Sequence, residues 1–139
     1  MAAGAVIALL VGLLTLVASG GATGSAREHC SRLWTQSHAR EQMVTGHGEQ
    51  VVVIGDSYSV GLGLRSPETS WPSRLPGRVH VYGFSGSGFS AHSSPCPGVS
   101  YAARAPRALS HGAALVVVEG GLNDYDQPTA AIRTGFRAL

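Results

Sequence analysis

The chain contains no lysine, and arginine supplies all ten of its basic side chains. The formal net charge is only +2, and no basic stripe with interleaved aromatic residues is present. Both features argue against a nucleic-acid-binding protein. Only two cysteines occur, Cys30 and Cys96, and neither belongs to a Cys-x-x-Cys pair or a His-Cys cluster. A structural zinc site therefore has no support in the sequence.

The first 26 residues contain no charged side chain, and residues 2–18 form an apolar run followed by the small-residue stretch "SGGATGSA". This pattern is typical of a secretory signal peptide, although no basic residue precedes the run. Because the run is almost long enough to span a bilayer, an uncleaved membrane anchor is the alternative. We assign residues 1–26 to one of these two and expect a secreted or cell-envelope protein. In that compartment Cys30 and Cys96 can pair with each other, stay as separate thiols, or pair outside the chain.

Three segments of the remaining sequence predict β-strands. They are "QVVVIG" at residues 50–55, "RVHVYG" at 78–83 and "AALVVVEGG" at 113–121. The first and third are continuously apolar, which is typical of parallel strands covered on both faces. Short helices are predicted near Ser59, over residues 71–75 and 101–109, and after the third strand. We therefore expect an α/β domain over residues 50–139, preceded by a lead-in segment, 27–49, with a short helix.

Polar residues follow each predicted strand: "GDS" after the first, "GFSGSG" after the second and "GLND" after the third. Because sites in parallel sheets lie at the carboxyl ends of the strands, we expect these segments to meet. They supply a hydroxyl, a glycine loop with free N–H groups and a side-chain amide, which acyl transfer requires. The structural alternative is that Asp56 or Ser57 caps the next helix and that the other segments are ordinary turns.

This ordered set resembles the SGNH hydrolase superfamily, the GDSL-like lipases and esterases, over about residues 50–126. The resemblance implies a flavodoxin-like three-layer sandwich with a parallel sheet, of which the first three strands are present. It implies that Ser57 is the acyl-forming nucleophile, and that its backbone N–H, the Gly86 N–H and the Asn123 amide form an oxyanion hole. The implied substrate is an acyl ester of a lipid, a small alcohol or a glycan, and the mechanism needs no cofactor or metal.

One block of the family pattern is absent, because the sequence contains no Asp-x-x-His to supply the base and its orienting carboxylate. The sequence therefore predicts the N-terminal portion of a longer hydrolase, and we expect the 139-residue chain itself to be inactive. His92 is a weaker choice for the base. Two further functions fit the same residues: a non-catalytic envelope module that binds acylated sugar, and an acyltransferase that forms the same acyl-enzyme.

Overall fold

The computed structural model of the protein describes residues 24–139. The predicted signal peptide or anchor, residues 1–26, lies almost entirely outside them. Residues Leu33–Leu139 form one compact unit, and the described residues before it, 24–32, are helical. No helix within the described part of the chain is long and apolar enough to cross a membrane.

The elements alternate along the chain as the sequence predicts for an α/β protein. The strands are β1 (Gln50–Gly55), β2 (Arg78–Gly83) and β3 (Leu115–Val118), and the helices are α1 (24–41), α2 (Ser57–Val60), α3 (Tyr101–Ala108) and α4 (Thr129–Arg137). Short 3-10 helices cover Pro67–Thr69, Trp71–Arg74 and Leu122–Asp124. The predicted bounds of the first two strands are confirmed, whereas the third strand is shorter than the predicted 113–121.

The strands form one parallel sheet of three strands in the order β2-β1-β3, which confirms the predicted α/β class and parallel pairing. On one face, Val52 and Ile54 of β1 pack against Tyr101 and the alanines of α3. On the other face, Val51 and Val53 pack with the valines of β2. Both faces of β1 are therefore buried, as the continuous apolar run indicates, and each buried valine contributes about 1.5–3 kcal/mol.

The predicted lead-in, 27–49, contains a longer helix than the short one expected. From Leu33 onward α1 belongs to the compact unit: the ring of Trp34 meets Phe84 edge-on at a centroid distance of 5.0 Å. The hydroxyl of Ser37 donates a 2.6 Å hydrogen bond to the carbonyl of Gly83, at the end of β2. Phe84, which follows β2, is fully buried. Helix α1 therefore covers the carboxyl end of β2.

The two outer strands of the sheet differ in how their edges are covered. Thr45 pairs with Val79 of β2 in an antiparallel bridge. On β3, the side chains of Leu115 and Val116 are 46% and 41% exposed.

Cys30 and Cys96 are both disulfide-bonded, so neither thiol is free.

Candidate active site

The turn between β1 and α2 presents a serine hydroxyl that takes no part in capping. Asp56 is the N-cap of α2, and its Oδ1 accepts a 2.9 Å hydrogen bond from the Tyr58 N–H. Ser57 is the first helical residue, and within residues 24–139 no group forms a hydrogen bond with its hydroxyl. Of the two possible caps, the structure selects Asp56. The Ser57 hydroxyl is half-buried and available for chemistry.

The glycine loop after β2 folds back against this turn. The Phe84 N–H donates to the Gly55 carbonyl at 3.1 Å, and the Ser87 N–H closes a turn onto the Phe84 carbonyl, also at 3.1 Å. Gly86, inside this turn, has a φ of 83°, which favours glycine. Among the described residues, neither the Gly86 N–H nor the Ser57 N–H donates to a protein acceptor. Two backbone donors are therefore free on adjacent segments.

Asn123 touches both of the other segments. It lies in the 3-10 helix after β3, and its Nδ2 donates a 2.8 Å hydrogen bond to the Ser87 carbonyl. The same nitrogen lies 3.5 Å from Oδ2 of Asp56, at the outer limit of a hydrogen bond. The three segments predicted to meet at the carboxyl end of the sheet are thus joined by direct contacts. One N–H hydrogen of Asn123 is only weakly engaged.

Asp124, the next residue, holds the glycine loop. Its carboxylate is buried and accepts 2.8 Å hydrogen bonds from the N–H groups of Phe89 and Ser90. Gly88 lies so close that a Cβ there would be 2.7 Å from the Asp124 Cγ, which leaves no room for a side chain. From the sequence, the "GLND" segment was expected to supply the Asn123 amide or to form an ordinary turn, and no bond from Asp124 to the glycine loop was predicted. The position of Asp124 beside Asn123 in "GLND" is the one signal that could have indicated this clamp.

A buried arginine lies beneath the site. Arg104 of α3 is 2% exposed, and one terminal nitrogen donates to the Gly55 carbonyl at 2.9 Å and to the Ser87 hydroxyl at 2.8 Å. Its other nitrogens donate to the carbonyls of Val99 and Tyr82. Burial lowers the pKa of Arg104 to about 10, so the guanidinium stays charged at neutral pH. Sequence reasoning missed Arg104, because an arginine in an alanine-rich helix resembles a surface residue.

Two carboxyl groups near the end of β1 have raised pKa values. Burial raises the pKa of Asp56, and its bond from the Tyr58 N–H only partly opposes this. Burial also raises the pKa of Glu119, which accepts a 2.7 Å hydrogen bond from the Ser59 hydroxyl, and the charge of Asp56 raises it further. Both groups therefore bind a proton more readily than exposed carboxyl groups do.

No histidine within residues 24–139 forms a hydrogen bond with Ser57. His92 is exposed, and its backbone N–H donates to the Ser90 hydroxyl at 3.1 Å. His80 lies inside β2, where burial lowers its pKa and its Nε2 has no hydrogen-bond partner within residues 24–139. No hydrogen bond in residues 24–139 joins a histidine to the Ser57 hydroxyl. The described residues thus bring a free serine hydroxyl and N–H donors together, with no histidine hydrogen-bonded to the hydroxyl.

Ser57 opens onto a depression of about 400 Å³ that is also lined by Tyr58, Leu62 and Leu122. The three apolar or aromatic side chains are 64%, 57% and 66% exposed, which is high for residues of their size. Within residues 24–139, no cluster of His, Cys, Asp and Glu could hold a metal ion. The depression around Ser57 is therefore lined mainly by exposed apolar and aromatic side chains.

No protein-family model, curated protein or solved structure matches the chain. The likeness to SGNH hydrolases consequently depends on three short segments, those of Ser57, Gly86 and Asn123, and on their order. Their contacts at one edge of the sheet are the observations from which a function can be inferred.

Proposed function

We propose that this protein is a serine hydrolase of carboxylic esters, of SGNH type, in which Ser57 forms an acyl-enzyme. The observation that carries the proposal is the free hydroxyl of Ser57 at a strand-to-helix turn whose capping is done by Asp56. Free N–H donors at Ser57 and Gly86 and the amide of Asn123 support it. The strand order β2-β1-β3 is compatible with the flavodoxin-like sheet of that superfamily.

In this mechanism the Ser57 Oγ attacks the ester carbonyl carbon, and its proton passes to a base. The carbonyl electron pair moves onto oxygen, where the N–H groups of Ser57 and Gly86 and the Asn123 amide stabilise the charge. Collapse of this intermediate expels the alcohol, which takes up the proton, and leaves an acyl ester on Ser57. Water then attacks that ester in the same way and releases the acid.

A serine hydroxyl is a weak nucleophile without a base, and the described residues offer Ser57 no histidine. The proposal therefore assigns the nucleophile and the oxyanion donors, and it names no base among residues 24–139. It follows that residues 27–139 alone should not hydrolyse esters. Serine-dependent hydrolysis by that fragment, abolished in Ser57→Ala, would contradict this part of the proposal.

The test uses the full polypeptide, meaning residues 1–139 together with any further sequence that the natural gene encodes. It combines a fluorescent fluorophosphonate, which phosphonylates active serines, with hydrolysis of p-nitrophenyl esters. We expect one labelled serine, identified as Ser57 by peptide mass, and loss of both labelling and hydrolysis in Ser57→Ala. The matched control is Ser110→Ala, which removes an exposed hydroxyl in the turn after α3 that is bound only to the carbonyl of Arg107. Labelling that persists in Ser57→Ala would refute the assignment.

The absence of a histidine contact to Ser57 within residues 24–139 favours a second candidate, a non-catalytic envelope module that binds acylated sugar. This candidate predicts saturable binding of an acetylated oligosaccharide that is equal in the wild type and in Ser57→Ala. It also predicts no covalent adduct with the fluorophosphonate. The same two proteins therefore distinguish the candidates.

A further inference from the structure

A second concave surface lies beside the Ser57 depression. It is a groove of about 180 Å³ between residues 36–43, at the end of α1 and just after it, and residues 60–67. Ala39 and Met43 line it from the α1 side, and Val60, Leu62, Leu64 and Pro67 line it from the other side. Gln36 and Arg40 also line it. The terminal nitrogens of Arg40 are bonded to the Met43 carbonyl and the Ser70 hydroxyl, whereas its Nε has no hydrogen-bond partner within residues 24–139. The groove therefore presents mainly aliphatic surface.

The groove and the Ser57 depression share one side chain, that of Leu62. Leu62 has a fixed position relative to the serine, because its N–H and that of Gly61 both donate to the Ser57 carbonyl, at 3.0 and 3.1 Å. An occupant that passes over Leu62 therefore reaches both surfaces. This continuity connects the groove to the reacting hydroxyl.

The segment that forms the outer wall is firmly packed at its base. Gly61 has a φ of 84°, and a Cβ there would come within 2.8 Å of the Pro67 carbonyl oxygen. Above this base, the side chains of Leu62 and Leu64 are 57% and 47% exposed. Two leucines held in place yet exposed along one groove are suited to contact an apolar ligand.

We propose, on the basis of the proposed function, that this groove is the acyl subsite and receives an unbranched alkyl chain of the ester attacked by Ser57. The ester carbonyl would lie at the serine, and the chain would cross Leu62 and lie between Met43 and Leu64. An aliphatic occupant matches the lining, whereas a sugar would leave its hydroxyl groups unpaired against it. The residues of α1 that line the groove would then help to determine which acyl chains the site accepts.

The test measures equilibrium binding of saturated fatty acids, butyrate, hexanoate and octanoate, to the full polypeptide carrying Ser57→Ala, by calorimetry. This variant binds without turnover, so the result does not depend on activity. We expect the affinity to rise about three- to fourfold per added methylene, since each buried CH₂ gives a constant transfer free energy. Nuclear Overhauser contacts should join the octanoate chain to the methyl groups of Met43 and Leu64.

Two further variants locate the chain. Leu62→Ser and Leu64→Ser should each weaken octanoate binding about tenfold or more and flatten the dependence on chain length. The matched control, Leu109→Ser, changes a leucine of similar exposure (37%) after α3 and should bind octanoate as before. Because all three leucines are exposed, the variants are expected to fold, and their unfolding curves verify it.

Affinity that is independent of chain length, or equal losses in Leu62→Ser and Leu109→Ser, would overturn the acyl subsite. Fluorophosphonate labelling of the full polypeptide at Ser57 separates this failure from failure of the hydrolase proposal. Labelling without chain-length-dependent binding refutes the subsite alone. Binding in the groove without labelling supports the subsite as a lipid-binding groove and refutes the hydrolase.

Discussion

Arg104 donates a 2.9 Å hydrogen bond to the carbonyl of Gly55, two residues before the candidate nucleophile. The same guanidinium nitrogen bonds the Ser87 hydroxyl in the glycine loop. One buried cation therefore links the serine turn to the loop that carries Gly86. In the proposed hydrolase Arg104 is a positioning residue, because it bonds the backbone of the serine turn and the Ser87 hydroxyl of the glycine loop.

Arg104→Met should lower the free energy of unfolding by about 3–5 kcal/mol, because several carbonyls lose a buried charged donor. The control is Arg107→Met, one turn along the same helix, whose guanidinium is exposed and paired with Glu41. That change should cost about 1–2 kcal/mol, because Arg107 is largely exposed but the Glu41 carboxylate, which is mostly buried, loses its partner. Chemical denaturation of the two variants gives the comparison, and equal losses would contradict the role of Arg104.

Asp124→Asn should free the glycine loop. The amide cannot match a carboxylate that accepts bonds from two N–H groups, so we expect a loss of about 2–4 kcal/mol in unfolding free energy. Faster hydrogen exchange should appear at the amides of Phe89 and Ser90. Asp126→Asn, which alters an exposed carboxylate two residues later, serves as control. Unchanged exchange at both amides in Asp124→Asn would refute the clamp.

Asp56 makes stability depend on pH with a definite sign. Its pKa is raised in the folded state, so its contribution is most favourable below about pH 4 and is lost as the pH rises through the raised value. Asn caps helices nearly as well as Asp, so Asp56→Asn keeps the cap and removes the titration.

The unfolding free energy of Asp56→Asn, relative to wild type, should therefore increase as the pH is raised from 4 to 7. Urea unfolding at four or five pH values measures it, and other titrating groups cancel in the difference. Glu119→Gln should change in the same direction, since burial also raises the pKa of Glu119. A difference that shrinks with rising pH would show that the Asp56 pKa is lowered instead.

Asn123→Ala tests the oxyanion hole of the proposed enzyme. Loss of one such donor lowers kcat about 10²–10³-fold, with little change in KM. Assays of ester hydrolysis by the full polypeptide measure it. Tyr125→Ala, which removes a side chain that is 86% exposed two residues away, should keep full activity. Similar kcat values for the two variants would remove Asn123 from the mechanism.

The sequence predicted the bounds of β1 and β2, whose segments contain β-branched residues and each end at a glycine. The third strand is shorter than predicted because its pairing with β1 runs only from Leu115 to Val118. Helix α1 was underestimated since two of its buried residues, Ser37 and Arg40, are polar and interrupt the hydrophobic periodicity.

The candidate site was predictable to the same extent. The segments of Ser57, Gly86 and Asn123 were predicted to meet, and hydrogen bonds join them, whereas the chemical roles of the three residues stay predictions. The supports were not predictable: Arg104 and Asp124 act through tertiary contacts with backbone groups far along the chain. Contacts of this kind cannot be recognised from the local amino-acid sequence.

Asp56 carries the capping bond of α2, so the side chain at position 57 contributes no hydrogen bond to its helix. Position 57 is therefore open to chemical redesign. A thiol introduced by Ser57→Cys would stand at the mouth of an apolar surface, where an iodoacetamide bearing an alkyl tail could be attached. The protein would then serve as a scaffold that displays a single lipid-like adduct at a defined point.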